Sequence, residues 1–290
     1  MTRYIFMVFA GACSFGILST FVKLSYHEGY TTAEISFTQA LTGMVVLWLI
    51  YLAGNKKKQS LTRKDVIWLL LTGASIGCTS WVYYLSVVYI PASVAIVILM
   101  QVTWIGLLID WVLFRKRPSG LQLLTTGMIL LGTWMGSGLA GGAAVHLSFK
   151  GLLFAGISAL VYAIYVVANS RVGKEIPAQL KSAGIMTGST LFIFLINAPV
   201  LVTSAHYNAG LLKWALFLSL FGTIIPPLLF AKGIPKIGVG VSAVIMTAEL
   251  PVAILCSHLI LHEHVDAVQW GGVGLMLLSM VLLNVRYLRK

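Results

Sequence analysis

Residues 238–261 read GVGVSAVIMTAELPVAILCSHLIL, with a single charged residue, Glu249, and with Pro251 two places after it. A bilayer core about 30 Å thick needs roughly 20 apolar residues in a helix, so this stretch can span one. Glu249 then lies about 16 Å from the start of the span, near the midplane. A carboxylate at that depth is costly and faces protein or a water-filled cavity. Pro251 withholds one backbone hydrogen bond and can kink the helix beside it.

The composition extends this reading to the whole chain. Of 290 residues 59% are hydrophobic and 10% charged, against about 25% charged in a soluble domain. Mean hydropathy is +0.94. Cys13, Cys78 and Cys256 all lie in apolar runs without metal-site spacing, as small packing residues do. The N-terminal MTRYIFMVFAGACSF has no small-residue cleavage site and reads as a retained first helix.

Ten runs of spanning length follow, at 5–26, 32–53, 66–88, 92–114, 121–140, 149–169, 180–204, 211–231, 238–261 and 268–287. With a cytoplasmic N-terminus, seventeen Lys and Arg fall on the inner side. Only Lys23, Lys150 and Lys213 fall outside. The bias places both termini in the cytoplasm of a multi-pass protein, in a bacterial inner membrane. It also accounts for the net charge of +12 through topology and anionic headgroups, with no call for nucleic acid.

The chain repeats itself. Phe9–Gly11 recurs at Phe154–Gly156 and Thr42–Gly43 at Thr187–Gly188, both 145 residues on. LMQVTWIGLLIDWVLFRKR from Leu99 aligns with TAELPVAILCSHLILHEHV from Thr247. Two five-span units are expected, at 1–142 and 148–290. An odd number of spans inverts the second copy, and the flanking charges agree: RKRP after span four is basic, HEHVD after span nine is not. Inverted repeats are a transporter architecture.

In these features the chain resembles the drug/metabolite transporter superfamily, and within it the EamA-like exporters. The resemblance implies an all-α membrane fold of ten helices in two inverted five-helix repeats, and export or exchange of a small metabolite such as an amino acid. It also leaves open a sugar or nucleotide-type facilitator or importer. Family members carry a Glu-Pro pair in the fourth span of a repeat, then a Gly-Glu and a glycine-rich fifth span. Glu249, Pro251, Glu263 and WGGVGLMLLS occupy those places. The proline is one residue late, and His262 stands for the glycine. In the first repeat Gln101 and Thr103 align with Glu249 and Pro251, and Arg115 with the loop glutamate.

Several side chains are candidates for substrate binding or coupling. Glu249 suits a substrate ammonium or a coupling proton, or a hydrogen bond that pins two helices. Small neighbours, Ser242 among them, suit a cavity wall or close packing. Trp81 and Trp104 are too deep for an interface belt and line a cavity or pack. Tyr84 and Tyr89 suit the belt. Gln101 is a candidate as the aligned partner of Glu249, and Lys23 as a carboxylate contact that can also snorkel outward. Gly77 in span three, and Gly222, Pro226 and Pro227 in span eight, mark interrupted helices beside a central cavity, and Pro251 a third helix break. Asp110 is expected to pair with Arg115 or Lys116.

His258 and His262 stand four apart, but no third metal ligand joins them. No metal or other cofactor is implied. The expected partners are a small-molecule substrate, a coupling proton and the lipid bilayer. A monomer or weak dimer fits. There are no paired catalytic aspartates, no HExxH and no Walker sequence, so an intramembrane enzyme or a direct ATPase is the weaker reading. A sensor would call for an attached domain.

Overall fold

The computed structural model describes residues 2–54, 61–136, 148–204, 206–262 and 265–288. Lys56–Lys58, Glu263, His264, Arg289, Lys290 and the boundary of the first repeat at 142 lie outside them. Among the described residues the chain is helical: α1 Thr2–His27, α2 Thr32–Gly54, α3 Arg63–Tyr89, α4 Ala92–Phe114, α6 Phe149–Arg171, α7 Ala178–Thr203, α8 Ala209–Ile237 and α9 Val239–Ile260. These eight are long and apolar enough to cross a membrane. Two further helices, α5 Gly120–Gly136 and α10 Ala267–Leu288, pack against each other; over the described residues alone their apolar stretches are shorter than a full span.

Local chemistry sets several helix starts. Thr62 and Asp65 exchange hydrogen bonds as a capping box at α3. Thr31 and Glu34 do the same at α2, and Asn208 accepts from Leu211 N at α8. Pro91 and Pro177 immediately precede α4 and α7, where a missing N–H costs nothing.

The main helix contacts run between the halves of the chain. α3 packs on α6 and α7, while α8 packs on α1 and α2; α2 meets α7, α4 meets α9, and α5 meets α10. Each contact is its own counterpart, or has one, when the two halves are exchanged. Gly43 and Gly188, which stand 145 apart, do equivalent work. A Cβ on Gly188 would sit 2.3 Å from Leu70 O, so its absence lets α7 close on α3. A Cβ on Gly43 would sit 2.0 Å from Thr223 Oγ1, where α2 closes on α8. Such small residues are the usual interface chemistry of membrane helices.

The helix breaks differ from expectation. α3 runs unbroken from Arg63 to Tyr89, and Gly77 is a packing glycine whose Cβ would lie 2.9 Å from the Ser189 backbone. α8 is interrupted, by a π-turn at Ser219–Ile224. Pro226 and Pro227 supply no N–H to the carbonyls of Gly222 and Thr223, and the ladder widens around them. Gly222 itself packs against Gln39 and Leu18. The matched interruptions lie in the fourth helix of each half. α4 breaks at Met100–Gln101 and α9 at Thr247–Ala248.

Both breaks use the same short i→i−3 bonds. Gln101 N donates to Ile98 O and Thr103 N to Met100 O; Ala248 N donates to Ile245 O and Leu250 N to Thr247 O. After each helix comes a left-handed residue, Arg115 (φ 53°) and His262 (φ 54°). Ser119 and Gln122 then cap α5 reciprocally, as Asp266 and Gln269 cap α10. Every one of these pairs is 147 residues apart. This corrects the alignment by one residue. Val102 corresponds to Glu249, Trp104 to Pro251, and Arg115 to His262. The break, the left-handed turn and the cap fix the register, whereas two uniformly apolar segments do not.

Candidate functional site

Glu249 is the first residue of the second segment of α9, which runs Glu249–Ile260. A carboxylate in a first turn complements the helix dipole, and Pro251 in the same turn withholds an N–H that would have no helical partner. The pair that looks disruptive in the sequence therefore starts a new helical segment inside the span. α1 also breaks here, at Ile17 between Gly16 and Leu18. A Cβ on Gly16 would lie 2.5 Å from the carbonyl oxygen of Glu249, so only glycine lets α1 cross α9 at this point.

Glu249 is 2% exposed, and its Oε1 accepts a 2.6 Å hydrogen bond from the Tyr162 hydroxyl on α6. It is not a lone carboxylate. It borders a cavity of about 40 Å3. That leaves room for a few waters. α1, α3, α4, α6 and α9 form the wall, which includes Phe15, Thr79, Ser80, Tyr83, Tyr84 and Tyr162. α8 contributes nothing to it.

The polar groups around the carboxylate are unevenly satisfied. Tyr84 donates to Gln39 Oε1 at 2.9 Å, and Tyr162 stacks on Tyr165 with ring centroids 6.1 Å apart. The Tyr83 hydroxyl lies beside Ser19 Oγ, yet neither makes a hydrogen bond of normal geometry, although both are buried. Thr20 Oγ1 is buried and unpaired as well. Buried hydroxyls without partners cost about 1–3 kcal/mol each. Of these, the Tyr83 hydroxyl is on the cavity wall and offers a donor and acceptor to a water or ligand entering it.

The other sequence candidates lie elsewhere. Gln101 accepts from Trp104 Nε1 at 2.8 Å, and Trp104 is 41% exposed on the outer surface of α4. Neither reaches the cavity. Trp81 is half-buried and outside its wall, as is Lys23. Ser242 is buried with its hydroxyl unpaired, in the first segment of α9 and away from the wall. Pro226 and Pro227 are buried, and Pro227 O accepts from Ser182 Oγ at 2.9 Å. Tyr84 is 2% exposed and belongs to the core, while Tyr89 is exposed. Of the candidates for substrate binding or coupling, only Glu249 borders the cavity, while Tyr84, expected at the interface belt, is part of its wall.

Two further polar groups close the ends. Asp110 pairs with Arg171 of α6 at 2.5 Å and not with its neighbours Arg115 or Lys116; the guanidinium also covers the Phe114 ring at 3.3 Å. Lys181, one of the seventeen inner-side charges, is 1% exposed and donates to Asn169 O at 2.6 Å, tying the end of α6 to the start of α7. At the opposite end Glu34 is 1% exposed and accepts from Thr31 and Ser204, with His206 Nδ1 at 2.9 Å. Glu28 accepts from Trp214 Nε1 at 2.7 Å. These bonds join the α1–α2 turn to the α7–α8 connection.

The EamA-like transporter family model matches residues 2–137 and again 149–285. The chain belongs to the EamA-like transporter family. Among curated relatives it is similar to the uncharacterized transporter sll1319 of Synechocystis sp., 25% identical over 281 residues, covering 88% of this chain and 82% of that protein. It is also similar to the uncharacterized transporter YwfM of Bacillus subtilis, 22% identical, covering 97% and 93%. A solved crystal structure superposes with a TM-score of 0.71 at 16% identity, covering 95% of this chain and 98% of that one, and so shares the fold. Family membership makes this an integral membrane transporter.

Proposed function

We propose that this EamA-like protein is a secondary transporter that exports or exchanges a small amine-bearing metabolite, of the size of an amino acid, by alternating access. Glu249 receives the substrate ammonium or the coupling proton. The observation that carries this reading is the placement of one buried carboxylate, beside a cavity, where α1 and α9 both break and cross. A pocket with an acidic group and phenols, one of them unpaired, suits a cation with further hydrogen-bonding groups. It suits an organic phosphate poorly, since no Lys or Arg borders the cavity. Its small volume corresponds to a nearly closed state, from which transport opens one side at a time.

The architecture proposed with it is ten spans in two inverted units at 1–142 and 148–290, both termini cytoplasmic, in a bacterial inner membrane, as a monomer or weak dimer. The seventeen-to-three division of Lys and Arg and the hydrogen-bonding features recurring 147 residues apart support it.

Flux of labelled amines and amino acids into proteoliposomes, with and without a pH gradient, tests the function. Uptake or counterflow lost in Glu249→Gln is the expected result. Wild-type flux and wild-type pH dependence in a well-folded Glu249→Gln protein overturn the role of Glu249. Failure to move any amine, with flux of a neutral sugar, overturns the substrate class.

A further inference from the structure

Trp104 and Trp111, which take no part in the central cavity, belong to a second concavity. An outward-facing groove of about 430 Å3 runs between α4 and α5, bordered by Trp104, Leu108, Trp111 and Leu123 and ending at Arg117 and Pro118. We propose that this groove binds one anionic phospholipid, with its phosphate at Arg117 and an acyl chain lying along Trp104, Leu108 and Trp111.

The dimensions fit such a ligand. From Trp104 to the end of α4 at Phe114 the helix rises about 15 Å, half of a hydrocarbon core of about 30 Å. The groove therefore spans one leaflet, from midplane depth to headgroup depth. Its wall is preset, because the Trp104 indole is held by the 2.8 Å bond to Gln101. Trp111 is 48% exposed toward the same space.

The charge fits as well. The helices α4 and α5 carry a single carboxylate between them, Asp110, and Arg171 occupies it. Arg115, Lys116 and Arg117 are exposed at the groove's end and have no ion-pair partner among the described residues. A zwitterionic headgroup brings its own cation to that site, whereas an anionic one meets only positive charge. One polar group inside the wall is also unexplained. Thr126 is 6% exposed, and its Oγ1 has no hydrogen-bond partner. It lies roughly 9 Å along α5 from Gly120, at the depth of the ester carbonyls of a lipid with its phosphate at Arg117. The second half has no equivalent: Pro251, His258 and Val273 stand where Trp104, Trp111 and Thr126 do.

The test uses the full chain in phosphatidylcholine nanodiscs with increasing phosphatidylglycerol. Retained lipid is read by native mass spectrometry, and tryptophan quenching by brominated acyl chains. Wild type is expected to retain phosphatidylglycerol in preference to phosphatidylcholine. Arg117→Gln should reduce that preference about fivefold, the effect of one basic residue near a membrane surface. Trp104→Phe/Trp111→Phe should abolish the part of the quenching specific to brominated phosphatidylglycerol. Lys64→Gln, at the same end but on α3, should change neither. Equal losses in Lys64→Gln and Arg117→Gln would mean a diffuse surface charge and overturn the proposal. So would an unchanged preference in Arg117→Gln, or a dimer mass that Arg117→Gln dissociates, which would put a second copy of the chain in the groove.

Discussion

Glu249 is held by one strong neighbour and one close crossing, and each makes a separate prediction. The Tyr162 bond ties α6 to α9 through the carboxylate. Hydrogen bonds to a charged group contribute about 1.5–3 kcal/mol. If Glu249 holds a substrate ammonium by such a bond, Glu249→Gln should weaken substrate by roughly ten- to a hundredfold. Tyr162→Phe should act differently: it frees the carboxylate, so binding persists while the pH dependence of flux moves. Substrate affinity and a flux–pH profile in proteoliposomes separate the two. If the carboxylate only pins helices, both variants lower thermal stability together and leave flux per folded molecule unchanged. Gly16 supplies the independent control. A methyl 2.5 Å from the Glu249 carbonyl must push α1 off α9, and overpacking costs about 1–3 kcal/mol. Gly16→Ala should therefore lower the melting temperature in detergent and reduce flux without altering selectivity. A fully stable Gly16→Ala protein would show that the crossing gives way.

Among the elements, eight of the ten expected spans and the breaks beside proline in α8 and α9 were legible, and the break in α4 was not. Long apolar runs declare themselves by length alone, and the helices start and end within a few residues of the expected limits. A helix that is apolar all round, however, gives no periodicity to say which side faces protein. That is why the sequence leaves Trp104 open between a cavity wall and simple packing and admits Gln101 as a candidate, although neither reaches the cavity. The break in α4 was invisible for another reason: ILMQVTW contains neither glycine nor proline. Two of its i→i−3 bonds, from Gln101 and Thr103, match those from Ala248 and Leu250 in α9 without the proline. Pro251 therefore accompanies the break and does not create it. Pro251→Ala should leave stability within about 1 kcal/mol of wild type, since first-turn proline gives up no helical bond, and transport should be close to normal. A collapse of flux in Pro251→Ala would mean that the proline itself holds the break open. The left-handed His262 argues in the same way from backbone to sequence. L residues at such φ cost about 1–2 kcal/mol that glycine does not incur, so His262→Gly should raise the melting temperature. The paired glycines give a sharper contrast. Gly188→Ala and Gly43→Ala should each destabilise by about 1–3 kcal/mol. Gly156→Ala should not, because nothing lies within 4 Å of its Cβ direction, even though Gly156 repeats Gly11 in sequence.

At the level of the whole molecule, the two halves are tied to each other as much as within themselves. The third helix of each half grips the first two of the other. Exchanging the halves preserves this pattern, so the same contacts can serve two conformations that differ in which end is open. Only the side chains break the equivalence. Val102 corresponds to Glu249, so one carboxylate borders a cavity walled by both halves. Such a device works only if the second half is inverted, and α8 offers a direct measurement of its direction. Lys213 and Lys232 are exposed near its two ends. The Lys and Arg bias assigns Lys213, one of three exceptions, to the outside and Lys232 to the cytoplasm. In a background without Cys13, Cys78 and Cys256, Lys213→Cys should react with an impermeant maleimide on intact cells. Lys232→Cys should react only after permeabilisation. Neither substitution touches the cavity wall, so expression and flux should survive both. Labelling in the opposite sense would place the termini outside, set the acidic Glu34 cluster at the cytoplasmic end, and reverse the direction in which the proposed Glu249 site would open for the proposed export.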